Sequence, residues 1–332
     1  MDSWSFRKKF VVGALILFFG LFAYKAYKNF SERDENVLSR NEILHLEISG
    51  VIMNGKKFLS QLKKYKKDDQ VKAIVIEINS PGGAVGPSQE IYYEILRAKK
   101  ETKKPVVCVS TGLIASGGYY SALACDKIVV APGAMIGSIG VIMEFANLEK
   151  LYDWAKVSRY TITSGKFKDS GSEYRAMRDD ERELFQTMIN EVYEQFKQTV
   201  MSSRGLDAAF VGQYADGRVM TGASAVKLKF ADAEGTFEDA VRIAAQMAKL
   251  GDDYKLFKPR REKMHIMDFL TMEDDDDELN SVSEIKNILK NTISSEAVKS
   301  FTGADVAQGL AKTFLRTQYL NQPLYLMPGY WE

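Results

Sequence analysis

Ser116 stands in "TGLIASGGYYSALACD" (Thr111–Asp126), between an alanine and two glycines and just ahead of a helix-compatible run. A hydroxyl there would sit at the positive end of a helix dipole, with Gly117 and Gly118 keeping side chains away from it. The chemistry this suggests is nucleophilic attack, although an N-cap serine with no catalytic role fits the same pattern. A second segment, "NSPGGAV" (Asn79–Val85), follows a β-branched run. Its glycines, Gly82 and Gly83, leave backbone N–H groups open to a ligand, as an oxyanion hole requires. Taken alone, it also reads as a tight turn. A serine needs a base to become a good nucleophile. Neither histidine offers a triad context, since His45 lies within an early strand pattern and His265 in a basic stretch. A neutral lysine is the other candidate base, and it needs burial or neighbouring cations to lose its proton. "TITSGKFKDSGS" (Thr161–Ser172) supplies Lys166 and Lys168, and spacing does not choose between them.

These segments need a scaffold that brings them to one end. "EILHLEISGVI" has strand character, and "KKFLSQLKKYKKD" reads as an amphipathic helix with Phe58, Leu59 and Leu62 on one side. "VKAIVIEINS" reads as a buried parallel strand. "PSQEIYYEILRAKKET" is predicted helical, with Pro87 in its first turn. "KPVVCVST" and "DKIVVAP" read as further strands around the helix "SGGYYSALAC". This βα alternation predicts a parallel sheet covered by helices, with ligands beyond the carboxyl ends of the strands. A long helix is expected over about 179–204, with Leu184, Met188, Val192, Phe196 and Val200 on one face. The acidic run Glu273–Glu278 lacks EF-hand spacing and reads as a solvated loop.

The 332 residues suit one large domain or two small ones, and 45% hydrophobic content can fill a core. A formal net charge of +1 gives no reason to expect nucleic acid as a partner. Cys108 and Cys125 each read as a buried free thiol, and no metal or cofactor is implied. At the N-terminus, "RKK" (Arg7–Lys9) precedes the apolar run Phe10–Tyr24. With no A-x-A site after it, the run reads as an uncleaved anchor whose flanking Lys25 and Lys28 can snorkel. The basic cluster leans towards N-terminus inside and main body outside.

Taken together, "VKAIVIEINSPGGAV", "IASGGYYSALACDKIVVAP", "GSIGVI", "SGKFKDSGS" and "ADGRVMTG" resemble, in the same order, the signal peptide peptidase A family of membrane-bound serine proteases. The resemblance covers about residues 42–251. It implies an α/β Clp protease/crotonase-like fold (a ββα spiral with a parallel sheet) behind an N-terminal transmembrane helix. It implies a Ser-Lys dyad, with Ser116 as nucleophile and Lys168 as general base. Gly83 and Gly117 match the oxyanion donors, and substrate would pair as a strand beside Gly82, Gly83, Ala84, Val85 and "GSIGVI". The expected organisation is an anchor over 1–30, a linker over 31–41, a peptidase domain over 42–250 and a C-terminal extension over 251–332. Expected partners are signal peptides and other hydrophobic peptides, the membrane, and further copies of the chain in a ring whose sites are shared between subunits. The implied location is the inner (cytoplasmic) membrane, single-pass, with the catalytic domain outside. A crotonase-like acyl-CoA enzyme and a non-catalytic peptide-binding scaffold are the alternatives. Two departures stand out: "SEYR" (Ser172–Arg175) replaces a Ser-Pro, and Lys229 stands where relatives carry glycine, so that helix end must close in another way. The apolar tail "PLYLMPGYWE" (Pro323–Glu332) either lies in a substrate groove as a strand over Leu324–Met327 or packs as a clasp.

Overall fold

The structure, a computed structural model, describes residues 41–259 and the backbone of residues 324–326. The N-terminal apolar run, His265 and the acidic run lie outside the described residues. Among the described residues, no helix is long and apolar enough to cross a membrane.

The β-branched runs form the main sheet. Strands β1 (Glu42–Ser49), β2 (Val71–Asn79), β4 (Val106–Ser110) and β6 (Lys127–Val130) are its centre, with β9 (Ala233–Glu234) and β10 (Lys255–Phe257) at the edges. The order is β10-β1-β2-β4-β6-β9, and every pairing is parallel. Both faces are covered, which is why these strands read as nearly continuous apolar runs. On one face Leu44, Leu46, Ile74, Ile76 and Cys108 join the main core. On the other, Ile43, Ala73, Val75, Val107 and Val129 pack under helix α8 (Phe237–Met247). The edge strand β10 means that the sheet continues beyond residue 250.

Parallel strands need crossovers, and the helices supply them. α1 (Lys56–Tyr65) buries Phe58 and Leu62 and leaves Leu59 half-buried. α2 (Val85–Thr102) begins two residues before Pro87, which still falls in its first turn. Between main strand and helix a short second-layer strand recurs. β3 (Gly82–Ala84) lies between β2 and α2, and β5 (Leu113–Ala115) lies between β4 and α3 (Gly117–Ala122). That repetition of strand, short strand and helix is the ββα arrangement of a Clp protease-like fold. β5 pairs with β7 (Met135–Gly137), which pairs with β8 (Val219–Thr221).

α4 (Glu149–Ala155) precedes the long helix α5 (Asp179–Arg204), which α6 (Ala208–Tyr214) and α7 (Gly222–Lys227) follow. The expected apolar face of α5 is only half used: Phe196 and Val200 are buried, whereas Leu184 and Met188 are exposed. At the end of α7, Lys229 itself takes the left-handed conformation (φ 64°). The Phe230 N–H then reaches back to the Ala225 carbonyl at 2.8 Å, so the helix closes as it would with glycine.

The cysteines correct the sequence-based expectation. Cys108 on β4 and Cys125 just after α3 are not free thiols but a disulfide, with Cα atoms 5.8 Å apart. The β4–β5–α3 unit folds back on itself and brings its two ends together, which a separation of 17 residues does not reveal.

Candidate active site

The site lies where β2 and β4 end. Ser80 binds the two strand ends together: its N–H donates to the Leu113 carbonyl at 2.8 Å, and the Ala115 N–H donates to the Ser80 carbonyl at 3.0 Å. Gly82–Ala84 and Ser116 are thereby held side by side.

Ser116 occupies the residue before α3 with φ 50° and ψ −117°, a conformation that costs a non-glycine residue energy unless its surroundings impose it. They do: its N–H donates to the Gly137 carbonyl, and its own carbonyl accepts from the Tyr120 N–H, each at 2.8 Å. The side chain makes no capping hydrogen bond, which removes the N-cap reading. Its Oγ is buried and has no hydrogen-bond partner. A buried hydroxyl without a partner costs about 1–3 kcal/mol. It is an exception that function can explain.

The glycines around it are obligatory. A Cβ on Gly83 would lie 2.0 Å from the Ile52 carbonyl oxygen. That oxygen accepts the Ala84 N–H at 2.8 Å, while the Ile52 N–H donates to Gly82. "PGG" is thus a short strand rather than a tight turn, with Gly82 at φ 102°. A Cβ on Gly117 would meet Ser88 Oγ at 2.4 Å and the Gly83 nitrogen at 3.2 Å. The Gly83 nitrogen therefore lies close to Gly117, the residue that follows Ser116.

β3 also carries a partner strand. The tail segment β11 (Leu324–Leu326) pairs with it antiparallel, with Tyr325 opposite Gly83. β11 also passes beside α2 and α3, the helix that begins after Ser116. Of the two readings of the tail, the strand beside Gly82–Ala84 is the one observed, while Met327 lies outside the described residues. On the other side, Ser138, Ile139, Val141 and Ile142 line a cavity of about 420 Å³ with Ile189 and Tyr193 from α5. Val85, at the start of α2, is half-buried against the main core.

The two lysines separate clearly. Lys166 is engaged, its Nζ 2.8 Å from Asp180 and lying over the Phe167 ring. Lys168 is exposed, and among the described residues its amine has neither an ion pair nor a hydrogen bond. Since Ser116 Oγ has no partner, no lysine nitrogen among the described residues lies within hydrogen-bond distance of it.

The segment carrying Lys168 is irregular, and a charge network holds it. Arg175 donates to the Asp169 carbonyl at 3.1 Å and to both oxygens of Glu181. Arg178 donates to the Lys166 carbonyl at 3.0 Å. Glu181 is buried at the first turn of α5. Hydrogen bonds from Arg175 hold its carboxyl down at a pKa of about 2. This network was missed from sequence, although the arginine after "SEY" and the acidic start of α5 were its visible signals.

The profile of peptidase family S49 matches residues 98–251, and that of Clp protease matches residues 34–136. The chain is 38% identical to "Putative protease slr0021" of Synechocystis sp. over 65% of this chain and 77% of that protein. The chain belongs to peptidase family S49. A second relative, "Putative signal peptide peptidase SppA" of Enterococcus faecium, is 33% identical over 66% of this chain and 67% of its own length. "Serine protease SPPA, chloroplastic" of Arabidopsis thaliana is 32% identical over 62% of this chain but only 30% of that longer protein. Membership of S49 favours peptidase chemistry over the acyl-CoA alternative.

Proposed function

We propose that this S49 peptidase is a membrane-anchored serine endopeptidase that degrades signal peptides remaining in the membrane after preprotein processing, using Ser116 and Lys168. The observation that carries the reading is the Ser116 hydroxyl, buried without a partner in a strained backbone beside the Gly83 nitrogen. Ser116 Oγ attacks the scissile carbonyl carbon while Lys168 takes its proton. The oxyanion accepts the N–H groups of Gly83 and Gly117. Collapse breaks the C–N bond, and Lys168 returns the proton to the leaving amine. Water then releases the acyl-enzyme by the same route.

Several features support the finer points. The Lys168 amine and Ser116 Oγ are both without a hydrogen-bond partner among the described residues, which supports a shared site in a homo-oligomeric ring, with a second copy supplying Lys168. The pairing of β11 with β3 supports a groove that takes an extended peptide by strand addition. The apolar cavity beside it suits a hydrophobic side chain. The Cys108–Cys125 disulfide fits a catalytic domain outside the inner membrane, where disulfides persist. The run Phe10–Tyr24 provides the anchor.

The test is the full chain in detergent, wild type against Ser116→Ala, on a signal-peptide substrate and on a fluorophosphonate probe. Wild type cleaves the peptide and takes the probe on Ser116, and the variant does neither. Full activity in Ser116→Ala, or labelling at another serine, sinks the assignment.

A further inference from the structure

The end of the sheet remote from Ser116 has a distinct chemistry. All six main strands are parallel, so their amino ends lie together, opposite the site. α1 and α2 both run back to that end and finish in lysines. Their loops are locked to each other: Lys104 Nζ donates to the carbonyls of Lys66 and Asp68, at 2.8 and 2.6 Å. Two acids nearby are paired, Glu101 with Lys66 and Asp126 with Lys99, while Asp68 and Asp69 in the same loop make no ion pair among the described residues. Left over are Lys63, Lys64, Lys72, Lys100, Lys103 and Lys249, none of which makes an ion pair among the described residues. Lys72, Lys103, Lys104 and Lys249 line a cleft of about 360 Å³ in which Asp69 is the single acid, and Met247 lines the same cleft.

The geometry points to this lysine-rich end as a seat for an anionic phospholipid surface. Clustered lysines gain from a negatively charged leaflet within a Debye length of it, about 8 Å at physiological salt. The chain as a whole carries only +1, whereas this end gathers six lysines outside any ion pair among the described residues. Met247, 39% exposed among the lysines, adds the apolar tip that interfacial binding favours. The chain also enters the sheet at this end. β1 begins at Glu42, and only residues 25–41 separate it from the apolar run Phe10–Tyr24. In that posture Ser116 and the groove point away from the bilayer, so a peptide must leave the membrane plane to be cut. The charged face stands on its own observations, and only the tether rests on the anchor reading above.

The experiment places the full chain in lipid nanodiscs of phosphatidylcholine alone or with about a third phosphatidylglycerol. A water-soluble amine-reactive reagent then labels lysines, which are counted one by one by peptide mass spectrometry. Phosphatidylglycerol should slow labelling of Lys63, Lys64, Lys100 and Lys103 at least about fivefold, and about 0.5 M salt should reverse it. Lys57 and Lys150, away from this end, should not change. The combined variant Lys63→Glu, Lys100→Glu, Lys103→Glu should lose the composition dependence at Lys64 and Lys249. Equal labelling in both discs, or slowing spread evenly to Lys57 and Lys150, overturns the inference. So does protection by a short DNA duplex with none by lipid. If the apolar run does not insert, the chain should still co-sediment with phosphatidylglycerol vesicles at low salt and not with phosphatidylcholine vesicles. Failure of that too overturns the seat, while success would leave only the anchor reading lost.

Discussion

Two lysines two residues apart have different fates, and the difference is the sharpest residue-level test of the chemistry. Lys166 is held by Asp180 at the start of α5. The Lys168 amine, by contrast, makes no ion pair or hydrogen bond among the described residues. Lys168→Ala should lower turnover by about 10²–10⁴, the usual worth of a general base, with the thermal midpoint unchanged. Lys166→Ala should keep most of the rate, since an exposed ion pair contributes little. Steady-state kinetics and thermal melts on the same preparations decide it, and the reverse pattern would move the base to Lys166. A second residue-level test concerns Glu181. Its folded pKa of about 2 lies below the ordinary value of about 4.3, so its stabilising effect is complete above that value. It is lost as pH falls from about 4.5 to about 2. Glu181→Gln should lower the melting temperature by several degrees at pH 7 and flatten its acid dependence across that window. Equal slopes in the two proteins would show that Glu181 is not the titrating group.

Among the elements, β11 matters most for regulation. A strand added to β3, opposite Gly83, occupies the position that an extended substrate would take under the proposed function. Deleting Pro323–Glu332 should therefore raise the initial rate on a peptide substrate several-fold and lower its KM. A truncated chain that melts earlier at an unchanged rate per folded site would make the tail a clasp. The tail's strand character was legible in its extended-chain preference and its leucines, and so were the central strands, whose β-branched runs are long enough to carry a pattern. The second-layer strands β3, β5, β7 and β8 were not. Each has three residues, too few for any period, and each exists because the main sheet beneath it fixes the path of the chain. Ser116 was legible as a residue type but not as a conformation. Its positive φ is imposed by Gly137 and Tyr120, which are brought to it by folding. The same reason hid the disulfide and the Arg175–Glu181 network.

At the scale of the whole molecule, one side of the described residues is apolar and exposed. α4 buries none of its residues, and its Trp154 is 80% exposed. Leu151, Tyr160, Ile162, Leu184 and Met188 are exposed as well, on the segments that flank the Lys168 stretch. Exposed apolar surface on this scale marks an interaction surface, and α5 shows the same thing along its length, with a stripe that is core at Phe196 and bare at Leu184. Ser116 Oγ, meanwhile, has no hydrogen-bond partner among the described residues. One arrangement answers both facts: the apolar side of one copy docks against the next and delivers Lys168 to its neighbour's Ser116. Co-expressed Ser116→Ala and Lys168→Ala chains should then regain part of the wild-type rate, because a mixed ring contains sites with one intact serine and one intact lysine. With random mixing, about a quarter of the sites would be whole, so recovery should approach a quarter of the wild-type rate. Each variant alone should stay inactive, and Trp154→Glu should disperse the assembly in sedimentation and abolish the recovery. Verified mixed oligomers with no activity would instead place both dyad members in one chain, brought together by a movement of the Lys168 segment.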